Sequence, residues 1–185
     1  MTHAVSINPA DISIRPATDR DEPFLKQVHE AARLWEFEVL LQTGQEELYH
    51  KVVAQQYRSQ LQSYEADFPQ AHYAVIQWTD RPIGRLYLNY REDEVRVLDI
   101  GILPEYRGHG IGEIVLKGIC IEAGLRRVPV RLHVHYLSRA RAFYQSVGFR
   151  QTAEVLPHIA MEWLHPDPDA LMRGVFDPRQ AAPVS

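Results

Sequence analysis

Residues 100–113, with the sequence IGILPEYRGHGIGE, join the end of an apolar, β-branched run to the start of a helical apolar stripe. Three glycines, Gly108, Gly110 and Gly112, alternate with other residues in the second half of this stretch. A glycine-rich turn between a strand and a helix lets several backbone N–H groups converge, and the helix dipole adds positive potential there. The stretch therefore predicts a binding site for a phosphate group.

Two other phosphate-binding motifs fit this stretch less well. A P-loop needs Gly-Lys followed by Ser or Thr, and the stretch contains no lysine before Lys117. A dinucleotide fingerprint needs G-x-G-x-x-G, whereas the glycines here read G-x-G-x-G. The alternative is that the glycines only form a tight turn. Three alternating glycines beside Arg107 favour the anion site.

The hydrophobic periodicity on both sides of this stretch predicts one α+β domain. Upstream, it predicts a strand near residues 12–15, two amphipathic helices separated by Gly44, and three strands at 73–78, 83–90 and 94–103 with a turn at Asp80-Arg81-Pro82. Downstream, it predicts a helix at 111–125, a strand at 128–134, a helix from Ser138 to Val147, and strands at 149–155 and 159–164. This order indicates an α/β-type three-layer arrangement, in which a mixed, largely antiparallel twisted sheet has helices on both faces.

Length and composition predict the class of protein. A chain of 185 residues, 45% hydrophobic and 24% charged, is typical of one globular core, which we place at residues 1–164 before a Pro-rich tail at 165–185. The net charge of -4 argues against nucleic acid as a partner. The single cysteine, Cys120, cannot form an internal disulfide, and no run of about 18 apolar residues occurs. We therefore expect a cytoplasmic protein with no membrane partner.

The pattern Arg107-x-x-Gly110-x-Gly112 after a strand resembles the acyl-CoA signature of the GNAT superfamily of N-acetyltransferases. The resemblance continues through the family's next strand, helix and closing Gly-Phe pair, at Leu132, Val134, Ala140, Tyr144, Gly148 and Phe149. It implies the GNAT fold and the transfer of an acetyl group from acetyl-CoA to a primary amine within a ternary complex.

The resemblance also implies where acetyl-CoA binds. Backbone groups of Ile100 and Ile102 are expected to hold the pantetheine arm, in a slot opened by a bulge in the signature strand. The pyrophosphate is expected to lie on the turn formed by Arg107, Gly108, His109, Gly110, Ile111, Gly112 and Glu113. The family's Asn seven residues before the Tyr is replaced here by Leu137, so we expect Ser138 to contact the cofactor arm instead.

Three residues are candidates for the chemistry. Tyr144 matches the family's general acid for the departing thiolate, and its alternative role is a packed aromatic ring. Asp99 and His133 are candidate general bases for the acceptor amine. The alternatives are that Asp99 pairs with an arginine such as Arg85 or Arg131 and that His133 is a structural histidine of the sheet. Because no third ligand follows His133-x-His135 at short spacing, we expect no metal site.

The acceptor is expected to be the primary amine of a small molecule or a peptide. Aromatic residues of the first two helices, where the family binds its acceptors, are expected to set specificity: Trp35, Phe37, Tyr49, Tyr57, Tyr64 and Phe68. Two alternatives remain open. The first alternative to an acetyltransferase is a non-catalytic acyl-CoA-binding module, which Leu137 would explain. The second is a different enzyme that binds a phosphate ligand at the same turn. A homodimer is possible through the last strands and the tail.

Overall fold

The structure is a computed structural model that describes residues 8–165, except for the side chains of residues 35–38. Within that range the elements are β1 (Ile12–Pro16), α1 (Glu22–Gln42), α2 (Glu46–Asp67), β2 (His72–Trp78), β3 (Arg81–Tyr90), β4 (Val95–Ile102), α3 (Ile111–Leu125), β5 (Val130–His135), α4 (Ala140–Val147), β6 (Arg150–Val155) and β7 (His158–Trp163). This order is the one that the periodicity predicts. No helix in the described range is long and apolar enough to cross a membrane. The predicted tail, apart from His165, lies outside the described residues.

The strands form one seven-stranded sheet in the order β1-β2-β3-β4-β5-β7-β6. Each neighbouring pair is antiparallel except β4 and β5, which are parallel and are joined by α3. A parallel pair needs a crossover connection, and the helical stripe after Pro104 supplies it. The predicted fold class, a mixed and largely antiparallel sheet in an α+β domain, is confirmed.

One face of the sheet packs against α3 and α4. The side chains that meet there are mostly aliphatic, because strand residues alternate between the two faces and helix residues recur at three and four positions. The buried members include Val95, Val97, Leu132, Val134, Leu116, Ile119 and Cys120. This layer is the main hydrophobic core.

The other face, over β2, β3 and β4, lies under α1 and α2. Gly44 separates these two helices with a left-handed φ of +72°, which glycine adopts without strain. Aromatic side chains, among them Tyr57 and Tyr87, make up half of the hydrophobic side chains in this layer. Two buried polar residues, His29 and Arg85, lie among them, so the two faces of the sheet differ in character.

The hairpin between β2 and β3 turns one position earlier than predicted. Thr79 and Asp80 form the turn, both with positive φ, whereas Arg81 and Pro82 already belong to β3. A two-residue turn with positive φ matches the right-handed twist of the flanking strands. Pro82 is accommodated because it lies beside a register shift in the ladder, opposite Gln77.

Candidate functional site

β4 and β5 pair over only three residues and then separate. The parallel ladder joins Val95–Val97 to Val130–Leu132, although β4 continues to Ile102 and β5 continues to His135. Beyond this ladder, no further residue pair joins the two strands within the part of the chain that the structure describes. The result is a slot that opens toward the carboxyl ends of both strands.

A β-bulge in β4 lies beside the beginning of this slot. In the antiparallel ladder with β3, Tyr87 pairs with Asp99 but Leu88 pairs with Val97. Leu98 is therefore the extra residue and has no partner in β3. A bulge of this kind bends the strand and changes which backbone groups face each neighbour.

The bulge determines which N–H groups point into the slot. The N–H of Val95 donates to a carbonyl on the β5 side, and the N–H of Leu103 donates to a β3 carbonyl, each at 2.9 Å. Val95 and Leu103 are eight positions apart, and in a regular strand their N–H groups would point toward the same neighbouring strand. Because one extra residue intervenes, the alternation is reversed, and the N–H groups of Ile100 and Ile102 point away from β3 and toward the slot.

The turn that follows β4 presents further backbone N–H groups. Gly108 and Gly110 have φ of +77° and +79°, and a Cβ at either position would meet no atom within 4 Å. The first hydrogen bond of α3 runs from the Ile114 N–H to the Gly110 carbonyl, so the preceding amides of the helix have no intrahelical partner. Gly112 lies inside α3, where its lack of a side chain admits the Phe143 ring. Two of the three predicted glycines thus form the turn itself.

The side chains of this turn make contacts of their own. Arg107 donates from Nε to the Ile102 carbonyl at 2.7 Å and from a terminal nitrogen to the Ala31 carbonyl at 3.2 Å. Its side chain therefore ties the turn to β4 and α1. The His109 ring lies beside Trp78, with its Nδ1 buried and lacking a hydrogen-bond partner. The Glu113 carboxylate pairs with Lys117 at 2.7 Å along α3.

Tyr144 projects from α4 into the core beside the slot. It is buried, with its ring edge-on to Phe149 at 5.8 Å between centroids. Burial raises the pKa of Tyr144, and the Asp99 carboxylate raises it further. The phenol is therefore protonated at neutral pH, as a proton donor must be. Its role as a general acid stays a prediction.

The segment between β5 and α4 contains the position where the resemblance leads us to expect Asn. Leu137 occupies that position with 59% of its surface exposed. The Ser138 hydroxyl accepts a hydrogen bond from the N–H of Ala140, the first residue of α4, at 3.2 Å. Ser138 thus supports the start of the helix, and its contact with a cofactor arm stays a prediction.

Asp99 lies on the α1 side of β4 and pairs with the buried Arg85. The Arg85 guanidinium donates to one Asp99 oxygen at 2.5 Å and to the Leu25 carbonyl at 3.5 Å, and it lies 5.2 Å from the Tyr87 ring centroid. The pairing with Arg85 is one of the two interpretations that the sequence leaves open. It holds the carboxylate in one orientation and offsets part of its charge.

His29, on α1, completes this buried polar group. Its Nδ1 lies 3.3 Å from an Arg85 nitrogen, and its Nε2 is buried with no hydrogen-bond partner among the residues that the structure describes. Burial first, and then the charge of Arg85, lowers the pKa of His29 to about 3. The ring is therefore neutral at pH 7. Because arginine only donates, Nδ1 accepts and the ring proton lies on Nε2.

His133 lies on β5, on the opposite side of the strand from the buried Leu132 and Val134. Its Nδ1 is 3.4 Å from an Arg96 nitrogen. Partial desolvation and the Arg96 charge lower the pKa of His133. Among residues 8–165, no hydrogen bond joins His133 to Tyr144. Within the same range, no group of His, Cys, Asp and Glu is arranged to hold a metal ion.

Sequence reasoning missed part of this site. His29 was not singled out, although it is a polar residue on the same helical face as Leu25 and Val28. Tyr64 was expected only as one aromatic residue of the helices, yet its hydroxyl donates to the Leu98 carbonyl at 2.9 Å. The side chains of the predicted Trp35 and Phe37 lie outside those described.

The sheet opens between two parallel strands, N–H groups point into the gap, and an amide-rich turn lies at its mouth. Together these features define a domain suited to an extended ligand that carries a phosphate. Residues 69–151 match the family model described as an acetyltransferase (GNAT) domain. The resemblance seen in the signature is therefore confirmed over these residues.

Several known proteins are similar to this chain. Over 85 residues it is 29% identical to a Bacillus subtilis (strain 168) protein named "Putative ribosomal protein bS18-alanine N-acetyltransferase", which covers 44% of this chain and 56% of the relative. The chain thus matches about half the length of that relative. The Thermoplasma acidophilum PaiA N-acetyltransferase in complex with coenzyme A has a TM-score of 0.63 and 20% identity, covering 83% of this chain and 99% of that one.

The Escherichia coli ribosomal-protein-S18-alanine N-acetyltransferase has a similar structure, with a TM-score of 0.56 and 16% identity. The match covers 83% of this chain and 93% of the Escherichia coli chain. At these identities the two structural matches establish the shared fold.

Proposed function

We propose that this protein is an N-acetyltransferase that moves the acetyl group of acetyl-CoA to a primary amine in a ternary complex. One observation carries the proposal: the N–H groups of Ile100 and Ile102 point into a slot whose mouth is the turn at Gly108 and Gly110. An extended pantetheine arm needs hydrogen bonds along its length, and its diphosphate needs converging amides. The slot supplies the hydrogen bonds for the pantetheine arm, and the turn at its mouth supplies the amides for the diphosphate.

Acetyl-CoA enters this proposal as a substrate. The open space above Gly108 and Gly110 suits a diphosphate, because no side chain competes for the backbone amides there. Ser138 and the amides from Arg107 to Glu113 complete the proposed contacts. The complex of the Thermoplasma acidophilum relative with coenzyme A supports this choice of substrate.

In the proposed reaction, the neutral amine attacks the thioester carbonyl, a C–N bond forms, and the C–S bond then breaks. An N–H at Ile100 or Ile102 stabilises the negative charge that develops on the carbonyl oxygen. Tyr144 gives its proton to the departing thiolate, which becomes the thiol of coenzyme A. The amine loses its proton to a base, directly or through water. Held together in one slot, the reactants gain an effective molarity of about 10⁵ M or more.

Asp99 and His133 are the candidates for the base. The charge of Asp99 reaches Tyr144, because the Asp99 carboxylate adds to the burial that raises the pKa of the phenol. Its pairing with Arg85 leaves one carboxylate oxygen to orient the amine or a water molecule. His133 has a lowered pKa and is therefore neutral and able to accept a proton at pH 7.

The acceptor is proposed to be the primary amine of a small molecule or of a peptide. The names of the Bacillus subtilis and Escherichia coli relatives, which refer to an alanine of a ribosomal protein, support a peptide amine. We further propose a cytoplasmic protein, in keeping with the buried free thiol of Cys120, and a homodimer through the last strands.

The test measures release of free coenzyme A thiol with a panel of small amines and peptides. Replacing Tyr144→Phe is expected to lower kcat about 100-fold, since general acid catalysis contributes at least that much. Tyr73→Phe is the matched control, because it removes another buried phenolic hydroxyl, one that makes no hydrogen bond to any described residue. The control is expected to keep full turnover.

Two outcomes would contradict the proposal. Tight binding of acetyl-CoA without turnover, and with no effect of Tyr144→Phe, would favour the non-catalytic module suggested by Leu137. A rise in melting temperature with a nucleotide but not with acetyl-CoA would favour another phosphate-ligand enzyme, because only a ligand of the native state stabilises it.

A further inference from the structure

The carbonyl of the bulged residue in β4 has a partner in a different layer of the molecule. The Leu98 carbonyl accepts a hydrogen bond from the Tyr64 hydroxyl, with 2.9 Å between the oxygens. The Tyr64 oxygen accepts in turn from Gln60 Nε2 at 3.0 Å, one helical turn earlier in α2. Two consecutive hydrogen bonds therefore tie α2 to the extra residue of β4.

The Tyr64 hydroxyl is held in place as a donor. Its ring packs edge-on against Tyr87, with 6.3 Å between centroids. Burial raises the pKa of Tyr64, and the nearby Asp99 carboxylate raises it further. The hydroxyl therefore keeps its proton at neutral pH. With Gln60 donating to the oxygen, the proton is directed at Leu98.

This hydrogen bond favours the bulged register over a regular one. A carbonyl displaced from its ladder and buried without a partner is unfavourable, and Tyr64 removes that cost at Leu98. In a regular ladder without the bulge, each backbone N–H beyond Leu98 would point toward the opposite neighbouring strand. The N–H groups of Asp99 and Gly101 would then face the slot, in place of those of Ile100 and Ile102.

We infer that Tyr64 is a positioning residue for acetyl transfer: its hydrogen bond to the Leu98 carbonyl holds the bulge that aims the N–H groups of Ile100 and Ile102 at the thioester. The inference rests on the proposed function. Tyr64 lies on α2, which is expected to bind the acceptor. A shift of this helix on acceptor binding would therefore be transmitted to the strand that polarises the thioester.

The kinetic test replaces Tyr64→Phe, which keeps the ring and removes the hydroxyl. We expect kcat to fall about tenfold, less than the 10²–10³ for deleting an oxyanion donor, with the KM for acetyl-CoA changed less than about twofold. Gln60→Leu is expected to give a smaller fall of the same kind, because it weakens the same hydrogen-bond chain. Tyr73→Phe is the matched control: Tyr73 packs edge-on against the same Tyr87 ring at 4.8 Å, but its hydroxyl makes no hydrogen bond within residues 8–165.

A spectroscopic test separates positioning from general packing. With acetyl-CoA labelled with ¹³C at the thioester carbonyl, the infrared stretch of the bound substrate is expected at lower frequency than in water. In Tyr64→Phe, but not in Tyr73→Phe, it should move back toward the solution value, because the donor in the slot is less well aimed. An unshifted band together with unchanged kcat in Tyr64→Phe would overturn the inference, and so would equal losses in both variants.

A third measurement needs no acetyl-CoA. The ¹³C′ resonance of Leu98 and the amide resonances of Ile100 and Ile102 in the free protein are expected to shift in Tyr64→Phe and to stay in place in Tyr73→Phe. If the wild-type protein neither binds nor turns over acetyl-CoA, the proposed function fails. These resonances still decide whether Tyr64 holds the bulge, and unshifted resonances mean that it does not.

Discussion

The two faces of the sheet are built from different kinds of side chain. Toward α3 and α4 the buried side chains are mostly aliphatic, whereas toward α1 and α2 the sheet buries Arg85 and His29 among tyrosines. Four of the buried polar atoms that lack a partner in the described chain lie on this second face: His29 Nε2, Tyr73 OH, Arg85 Nε and Tyr87 OH. Unpaired buried polar atoms cost stability. The aliphatic face is therefore an ordinary hydrophobic core, whereas the second face buries polar groups that cost stability and lies beside the proposed site.

The largest effect is expected from breaking the polar face. Arg85→Met leaves Asp99 and His29 buried without their partner, and the free energy of unfolding should fall by about 3–5 kcal/mol. Chemical denaturation measures this loss. The double variant Arg85→Met/Asp99→Leu should recover most of it, because an apolar pair of similar size replaces a buried ion pair well. Recovery of stability without recovery of turnover would show that the polar pair matters for the reaction and not for the fold. A double variant as unstable as the single one would contradict the prediction.

A smaller loss is expected from a cavity in the aliphatic face. Leu116, on α3, is fully buried, and Leu116→Ala should lower the free energy of unfolding by about 3 kcal/mol. Leu125→Ala on the same helix is the control, because Leu125 is 49% exposed and should change stability by less than about 0.5 kcal/mol. Turnover per folded molecule should stay near that of the wild type in both variants. A large change in KM for the acceptor would show that the two faces are not separate.

The pH dependence of stability offers a further way to compare the faces. The pKa of His29 is about 3 in the folded protein and about 6.5 in the unfolded chain, so between about pH 6.5 and pH 3 mainly the unfolded state binds this proton. Stability should therefore fall as the pH drops, and this residue should contribute about 2 kcal/mol of loss between pH 7 and pH 5. The difference between wild type and His29→Gln, measured by denaturation at each pH, isolates that contribution. Parallel curves would mean that His29 is not buried as a neutral ring.

The smallest effect on stability is expected at the turn after β4. Gly110→Ala places a side chain at a φ of +79° and should cost about 1 kcal/mol. Gly44→Ala is a matched control, because Gly44 has a φ of +72° and similarly open surroundings but joins α1 to α2. Both variants should lose similar stability, while only Gly110→Ala should weaken the binding of coenzyme A in calorimetry. Equal affinities in the two variants would remove the turn from the proposed site.

The order of elements and the anion-binding turn could be predicted because both are local. Helical and strand periodicities are visible in short windows, and Gly108 and Gly110 lie next to the helix whose amides they expose. The predicted hairpin turn lies one position too late, because proline is typical of turns. In the structure, Pro82 belongs to β3, where a register shift in the ladder accommodates its ring.

The polar face could not be predicted in the same way. Arg85 and Asp99 come together only through the pairing of two strands, and Tyr64 reaches Leu98 from another layer. A signal for the bulge does exist in the strand, because the residues facing the α3 side are Val95, Val97, Ile100 and Ile102. Their spacing changes from two to three between Val97 and Ile100, which indicates an extra residue.

Cys120 has a practical consequence for anyone who studies this protein with thiol-reactive dyes. It is the single cysteine of the sequence, it is buried in α3, and burial raises its pKa to about 12. Since the thiolate is the reactive form, the folded protein should give almost no colour with a disulfide reagent. In a continuous assay that detects released coenzyme A with such a reagent, the protein itself then contributes almost no background signal. Any slow labelling of Cys120 reports how often the aliphatic layer opens to solvent.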